Sequence, residues 1–157
     1  MSRQLFIISS LLIILLFVPS AFSEEKAKQI KGPIIITSER LTADNKTCTA
    51  LFEVSVIARI PDMTIHADRM LVSYEEKTGN ITKIEAAGNI KLIKGNRVIT
   101  SKEATYYADE EKVIFTGEPR ATEGENVVTG RTMTYFMDED RYLVEDSKVF
   151  VKKKKEQ

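Results

Sequence analysis

The segment Ile36-Thr37-Ser38-Glu39-Arg40-Leu41 recurs in altered form three more times along the chain. Each copy begins with an apolar residue, continues with small and polar residues, and ends with another apolar residue. The other copies are Ile65-His66-Ala67-Asp68-Arg69-Met70, Ile99-Thr100-Ser101-Lys102-Glu103-Ala104 and Val128-Thr129-Gly130-Arg131-Thr132-Met133. Their starting positions lie 29, 34 and 29 residues apart, and self-similarity at such a period is typical of stacked repeat units. We therefore expect a long, uniform surface rather than a single point of chemistry.

Alternation of apolar and polar residues around each copy predicts that the repeated unit is a β-hairpin. In residues 50–58 the even positions are all apolar, whereas the odd positions include Glu53 and Ser55. A period of two is typical of a half-buried strand. No helical pattern follows residue 33. Seven clusters of turn-forming residues separate the strands and imply eight or more of them; they lie at 44–46, 61–62, 77–80, 95–96, 109–111, 124–126 and 138–140.

Each copy of the motif also predicts a bend. Ile36 and Leu41 are five positions apart, so strict alternation would place them on opposite faces of the sheet. A bulge in the middle returns both to the same face, and bends at the same place in every hairpin curve the sheet into a trough or flattened roll. The inner positions are then Ile34, Ile36, Leu41, Phe52, Val54, Val56, Ile65, Met70, Val72, Ile84, Ile90, Leu92, Ile99, Tyr106, Val113, Phe115, Val128, Met133, Tyr135, Tyr142 and Val144. Spacing alone does not decide whether this interior is a filled core or a groove.

The first residues have the pattern of an export signal. Arg3 precedes a 14-residue apolar stretch from Leu5 to Val18, and the small residues Ala21 and Ser23 stand where a signal peptidase reads. We expect a cleaved signal peptide over 1–23, a flexible leader over 24–32, one β-domain over 33–151 and a basic tail over 152–157.

Composition argues against nucleic-acid binding and catalysis. The 23 basic residues are matched by 23 acidic ones, so no surplus of positive charge exists to neutralise phosphates. Cys48 is the only cysteine and lies in a turn, and His66 is the only histidine and takes an outward strand position in its repeat. Neither has the partners that a nucleophile, general base or metal site requires. The sequence therefore predicts no enzyme, no catalytic residue, no metal and no cofactor.

Several motifs occur in an order that points to a known family. They are Gly32-Pro33-Ile34-Ile35-Ile36-Thr37-Ser38-Glu39-Arg40-Leu41, Ala50-Leu51-Phe52-Glu53, Ala67-Asp68-Arg69-Met70, Glu85-Ala86-Ala87-Gly88-Asn89-Ile90 and Asn126-Val127-Val128-Thr129-Gly130. Together they cover essentially all of residues 32–151, and the chain resembles the OstA-like family of periplasmic lipopolysaccharide transport proteins. The resemblance implies an open, slightly twisted β-jellyroll whose apolar groove shelters lipid A acyl chains. The groove residues carried over from it are Ile34, Ile36, Phe52, Ile65, Met70, Phe115, Val128 and Met133.

The two ends of the sheet are expected to be assembly edges. Ile35 at the N-terminal edge and Val149 and Phe150 at the C-terminal edge lie in uninterrupted alternating segments, and unblocked edges recruit further strands. Two different edges favour head-to-tail growth. The resemblance implies that the N-terminal edge meets an inner-membrane LptC-like component and the C-terminal edge an outer-membrane LptD-like component, so that subunits bridge the periplasm.

One departure from the family pattern and two alternative functions remain. The family's Gly-Asn-Val turn is preserved at Gly88-Asn89-Ile90, but Val54-Ser55-Val56 and Gly117-Glu118-Pro119 replace it elsewhere, which predicts straighter strands there. The alternatives are an LptC-like membrane-anchored component of the same pathway and a structural β-solenoid scaffold with a filled interior.

Overall fold

The computed structural model describes residues 33–152, so the predicted signal peptide, leader and residues 153–157 of the basic tail lie outside the described residues. Within this range the chain forms twelve β-strands and no helix. The strands are β1 (Ile35–Thr37), β2 (Arg40–Asp44), β3 (Thr49–Ile60), β4 (Met63–Tyr74), β5 (Ile81–Lys94), β6 (Arg97–Tyr107), β7 (Lys112–Thr116), β8 (Arg120–Glu123), β9 (Asn126–Thr129), β10 (Thr132–Phe136), β11 (Arg141–Glu145) and β12 (Lys148–Phe150). The predicted all-β fold is confirmed.

All pairings between these strands are antiparallel, and the strands form one sheet. Each of the seven predicted turn clusters connects two strands that pair with each other. The sheet is open within the described range. At the N-terminal end β1 and β2 pair only with β3, and at the C-terminal end β11 pairs only with β10 and β12 only with β9.

The four long strands, β3 to β6, bend in the middle and contribute to two facing walls. Wall A consists of β2, β7, β10, β11 and the strand halves 49–53, 69–74, 81–87 and 103–107. Wall B consists of β1, β8, β9, β12 and the strand halves 56–60, 63–67, 90–94 and 97–101. The bends lie where the repeated motifs predict them, because the pairing register shifts between residues 53 and 56, 66 and 69, and 87 and 90.

Left-handed backbone conformations occur in these bends. Gly88 and Asn89 have φ values of 79° and 49°, and the Asn89 amide nitrogen donates a hydrogen bond to Asp68 Oδ2 at 2.8 Å. A Cβ atom on Gly88 would collide with the Asp68 side chain. Glycine is therefore required here both by its φ value and by the close approach of the neighbouring strand.

The prediction of straighter strands at 54–56 and 117–119 is wrong. Val54 and Ser55 have φ values of 66° and 54°, and Gly117 and Glu118 have values of 73° and 61°. A left-handed conformation costs a residue with a Cβ roughly 1–2 kcal/mol, so packing of the inner faces on both sides of the bend outweighs the local preference of Val54. The bulge also turns Val54 outward, where 42% of it is exposed, although alternation placed it inside.

The side chains between the walls form one apolar core. Phe115, Leu92, Ile99 and Tyr135 are fully buried, and residues of both walls belong to the same cluster. Each fully buried large apolar side chain contributes about 1.5–3 kcal/mol. The two walls therefore hold each other in place through the interior that they enclose.

Candidate functional site

Two rows of apolar side chains cross the interior from strand to strand. The wall A row is Leu41, Phe52, Met70, Ala86, Ala104, Phe115, Met133 and Val144, each residue paired in register with the next. The wall B row is Ile36, Ala58, Ile65, Leu92, Ile99, Ala121, Val128 and Val149. We call these the inner rows. With strands about 4.8 Å apart, each row is about 35 Å long, and neither contains a polar residue.

The inner rows are covered in the middle and open at the ends. Phe115 and Leu92 are 0% exposed, whereas Leu41 is 56% exposed at the N-terminal end and Val149 is 58% exposed at the C-terminal end. The neighbouring Ile35 and Phe150, on the outer face, are 55% and 61% exposed. Both ends of the sheet therefore present unpaired strand edges together with uncovered apolar side chains.

All eight predicted groove residues face the interior, but in three different situations. Four of them, Ile34, Ile65, Met70 and Phe115, surround a small cavity in the N-terminal half. Val128 and Met133 line a second cavity in the C-terminal half. Ile36 and Phe52 are partly buried against the core. The position of these residues follows from the register of the strands, except for Ile34, which precedes β1, and their role in binding stays a prediction.

The two cavities differ in size and in the chemistry of their walls. The N-terminal cavity has a volume of about 40 Å³ and is lined almost entirely by aliphatic, Met and aromatic side chains. The C-terminal cavity has a volume of about 220 Å³, and Arg97, Glu123 and Asn126 are among its lining residues. Since a cavity of about 150 Å³ holds a molecule as small as benzene, the N-terminal half admits a hydrocarbon chain only when the walls move apart.

A polar cluster joins the two walls above the core. Lys94 of wall B donates a hydrogen bond to the Tyr135 hydroxyl of wall A at 2.6 Å, and Tyr135 donates one to Asp140 Oδ1 at 2.9 Å. The Lys94 ammonium also lies 3.3 Å from Asp140 and 3.5 Å from Asp62, and Arg97 lies 3.5 Å from Asp140. We call Lys94, Arg97, Tyr135 and Asp140 the cross-wall cluster. It ties the β5–β6 turn to the β10–β11 turn.

The pKa values in this cluster follow from its contacts. Burial raises the pKa of Tyr135 to about 12. The hydrogen bond from Tyr135, with the nearby Lys94 and Arg97, lowers the pKa of Asp140. Burial by itself lowers the pKa of Lys94, but its hydrogen bonds to Tyr135 and Asp140 outweigh that effect and raise it above its ordinary value. The cluster is therefore charged as Lys⁺ and Asp⁻ with a neutral tyrosine across the neutral pH range.

The sequence reasoning missed the cationic members of the cross-wall cluster. Alternation places Leu92 and Ile99 inside; Lys94 lies two positions after Leu92 in β5, and Arg97 lies two positions before Ile99 in β6. The same period of two therefore puts both cations on the inner face. The alternation therefore predicts their inward position, but only apolar residues were assigned to the interior, so the two cations were left out.

Tyr142 completes the polar side of the C-terminal cavity. Its ring stacks on that of Tyr135 with centroids 4.3 Å apart, and the Arg97 guanidinium lies 4.7 Å from the Tyr142 centroid. The Tyr142 hydroxyl is near enough to raise the pKa of Arg97. It nevertheless has no hydrogen-bond partner of good geometry among the described residues, although the atom is buried.

The side chains that most often carry chemistry are dispersed. His66 is half-buried on the outer face, paired with Ile57 and Lys91, and Cys48 lies in the β2–β3 turn with a φ value of 52°. Over residues 33–152, no group of three or more His, Cys, Asp and Glu side chains has the arrangement to hold a metal ion. The same part of the chain contains no helix of a length and hydropathy that could cross a membrane.

Comparison with known proteins connects this architecture to a transport family. The family model described as "LptA/(LptD N-terminal domain) LPS transport protein" matches residues 35–141. Among solved structures, the chain is similar to LptH of Pseudomonas aeruginosa, described as the LptA-homologous periplasmic component of the conserved lipopolysaccharide transport device. The TM-score is 0.71 at 10% identity, over 80% of this chain and 99% of LptH. None of the curated protein sequences matches the chain.

Proposed function

Since the chain belongs to the family of LptA and LptD N-terminal-domain lipopolysaccharide transport proteins, a family of transport components rather than enzymes, we propose that it works in the periplasm. There it binds lipopolysaccharide through the lipid A acyl chains and carries it toward the outer membrane. The observation that supports this most is the pair of inner rows, which are continuous from one edge of the sheet to the other, with Leu41 exposed at the N-terminal end and Val149 at the C-terminal end. Ile34, Ile36, Phe52, Ile65, Met70, Phe115, Val128 and Met133 form the proposed groove.

The energetics of acyl chains explain why a carrier is needed. Each methylene group moved from an apolar environment into water costs about 0.8 kcal/mol, so a chain of about twelve carbons costs roughly 10 kcal/mol. Apolar contact is non-directional, so successive positions along the inner rows offer a chain nearly equal free energy. These contacts therefore hold a lipid at no particular position, and it advances between strands when the two walls move apart to admit it.

Site-specific photo-crosslinking in cells tests the groove. We expect a photoreactive residue at Phe52 or Val128 to capture lipopolysaccharide. The matched controls at Glu53 and Thr129 are the next residues along the same strands and face outward. Circular dichroism of each purified variant confirms that it is folded. Equal labelling at inner and outer positions would contradict the proposal.

For assembly, we propose head-to-tail contacts between the two exposed edges. The N-terminal edge at Ile35 would meet an inner-membrane LptC-like component, the C-terminal edge at Val149 and Phe150 an outer-membrane LptD-like component, and further copies would join between them. Cysteines at Ile35 and Phe150, in a Cys48→Ser background, are expected to form disulfides between different positions of neighbouring subunits. Exclusively symmetric disulfides would overturn this arrangement.

One observation favours a second candidate, a structural scaffold with a filled interior. The middle of both inner rows is fully buried and the N-terminal cavity is only about 40 Å³. Lipopolysaccharide that co-purifies with the protein from cells, and that is lost when Val128 is changed to Asp, would exclude the scaffold. Absence of lipid from correctly folded protein would favour it.

A further inference from the structure

The inner face of wall B changes character along the length of the interior. Next to the inner row, on the side of the hairpin turns, lies a second row that we call the lip row. It begins with the register pair Ile60 and Met63 and continues with Lys94, Arg97, Glu123 and Asn126. The N-terminal third of the lip row is therefore apolar, and the remainder is polar.

The polar part of the lip row borders the larger cavity. Val128, Met133 and Val144 form its apolar side, whereas Arg97, Glu123 and Asn126 stand at its edge. In this part, two positions along each strand, from the inner row to the lip row, the inner surface of wall B changes from apolar side chains to side chains that form hydrogen bonds. Such a boundary matches a ligand that is itself part hydrocarbon and part polar.

The charges at the edge select the kind of polar group. Arg97 is already paired with Glu123 at 3.2 Å, and Lys94 and Arg97 together face the carboxylates of Asp62, Glu123 and Asp140. These carboxylates outnumber the two cations, and Lys152 is paired with Glu125, so among residues 33–152 each of the three cations at this edge already has a carboxylate partner. The edge offers both hydrogen-bond donors and acceptors. Neutral hydroxyl and amide groups, which both donate and accept, can use both kinds of partner.

The Tyr142 hydroxyl provides independent support for a polar ligand at this point. It is a buried polar atom without a hydrogen-bond partner of good geometry in residues 33–152, and an unsatisfied buried group costs about 1–3 kcal/mol. A ligand oxygen that reaches it recovers that free energy. At the N-terminal cavity, by contrast, the lining side chains are apolar apart from the Tyr106 hydroxyl.

We propose that the C-terminal half of the interior holds the junction between an acyl chain and its sugar, while the N-terminal half takes hydrocarbon only. In this site the chain lies on Val128, Met133 and Val144, and neutral oxygens at its sugar end bond to Tyr142 and Asn126. The inference deepens the proposed function and rests on it. It assigns the contacted part of the ligand as the neutral hydroxyl and amide groups next to the acyl chain of an acylated saccharide.

Two amphiphiles that differ only in their head group test this assignment. Decyl maltoside carries a neutral sugar, and a decyl oligo(ethylene glycol) ether carries a neutral head with no hydroxyl-bearing ring. Calorimetry measures the affinity of each amphiphile for residues 24–157 of the chain. The concentrations stay below those at which either amphiphile forms micelles. Tyr142→Phe and Asn126→Ala are compared with Tyr107→Phe, a tyrosine on the outer face of wall A. Asn126 is exposed, so its replacement leaves the core intact.

We expect Tyr142→Phe and Asn126→Ala each to weaken decyl maltoside binding by about three- to tenfold, as the net strength of one hydrogen bond predicts, and to leave ether binding and the Tyr107→Phe control unchanged. Equal losses for both amphiphiles, or no loss for either, would overturn the junction site while leaving the groove itself standing. If the wild-type chain binds neither amphiphile nor lipopolysaccharide, the proposed function fails instead.

Discussion

Gly88, in the bend of β5, allows the sharpest test of how the two walls are joined. Its φ value of 79° lies in the left-handed region, and an added Cβ atom would come within 2.8 Å of Asp68 Cγ and 2.9 Å of Asp68 Cβ. Gly79 is a matched control, because its φ value of 71° is similar but nothing lies within 4 Å of the added atom. The two substitutions to alanine therefore share the backbone strain and differ in the collision.

The expected magnitudes follow from these two contributions. Left-handed strain costs about 1–2 kcal/mol, so Gly79→Ala should lower the free energy of unfolding by about 1 kcal/mol. Overpacking against Asp68 adds about 1–3 kcal/mol, so Gly88→Ala should lower it by about 2–4 kcal/mol. Urea unfolding followed by circular dichroism measures both, and each kcal/mol corresponds to about 4 °C in Tm for a domain of this size.

A second substitution identifies the atom responsible. Asp68→Ala removes the carboxylate but keeps the Cβ atom, so in the Gly88→Ala background it should recover part of the loss and not all of it. Because Asp68 also accepts the hydrogen bond from Asn89, the single variant Asp68→Ala is measured as well to separate that bond. If Gly88→Ala costs no more than Gly79→Ala, the close packing of the two bends is wrong.

Three further predictions concern titration and chemistry. Burial raises the pKa values of Tyr106 and Tyr135 from 10 to about 12, so the stability that their neutral forms provide should be complete below pH 10 and lost as the pH rises toward 12; ultraviolet titration of tyrosinate in Tyr106→Phe and Tyr135→Phe checks this. The pKa of Asp140 is lowered from its usual 3.8, so its contribution exists above that pH and disappears as the pH falls below it, and the difference in urea midpoint between wild type and Asp140→Asn should shrink in acid. His66→Ala and Cys48→Ser should each support growth of a strain that lacks the native gene, and loss of growth with a folded protein would reopen a catalytic or metal role.

The strand architecture was predictable because two local signals agree. Each segment of alternating residues is followed by a cluster of turn-forming residues. The seven turns therefore lie where residues such as Gly95 and Asn126 predict them. The bulge at Val54 and Ser55 was not predictable in this way, since neither residue favours a left-handed backbone. There the conformation is imposed by pairing on both sides, between Glu53 and Arg69 and between Val56 and Ala67, which is information from distant parts of the chain.

The sequence predicted which side chains of the candidate site face the interior, but not how deeply each one is buried. Period-two reasoning placed Phe115 and Val128 on the same side of the sheet, yet it could not distinguish a residue sealed between the walls from one beside a cavity. That distinction depends on the distance between the two walls, across which Lys94 contacts Tyr135. Such a contact between residues 41 positions apart or more leaves no local trace in the sequence.

The orientation of the inner rows has a consequence for how proteins of this architecture change in evolution. In a closed barrel, additional strands widen the lumen. Here the rows run across the strands of an open sheet, so duplication of one repeat of 29 to 34 residues would add two strands and lengthen the interior by about 10 Å, with no change in its width. The length and the width of the interior can therefore evolve independently. Gene duplication changes the length, and substitutions at the bends change the width.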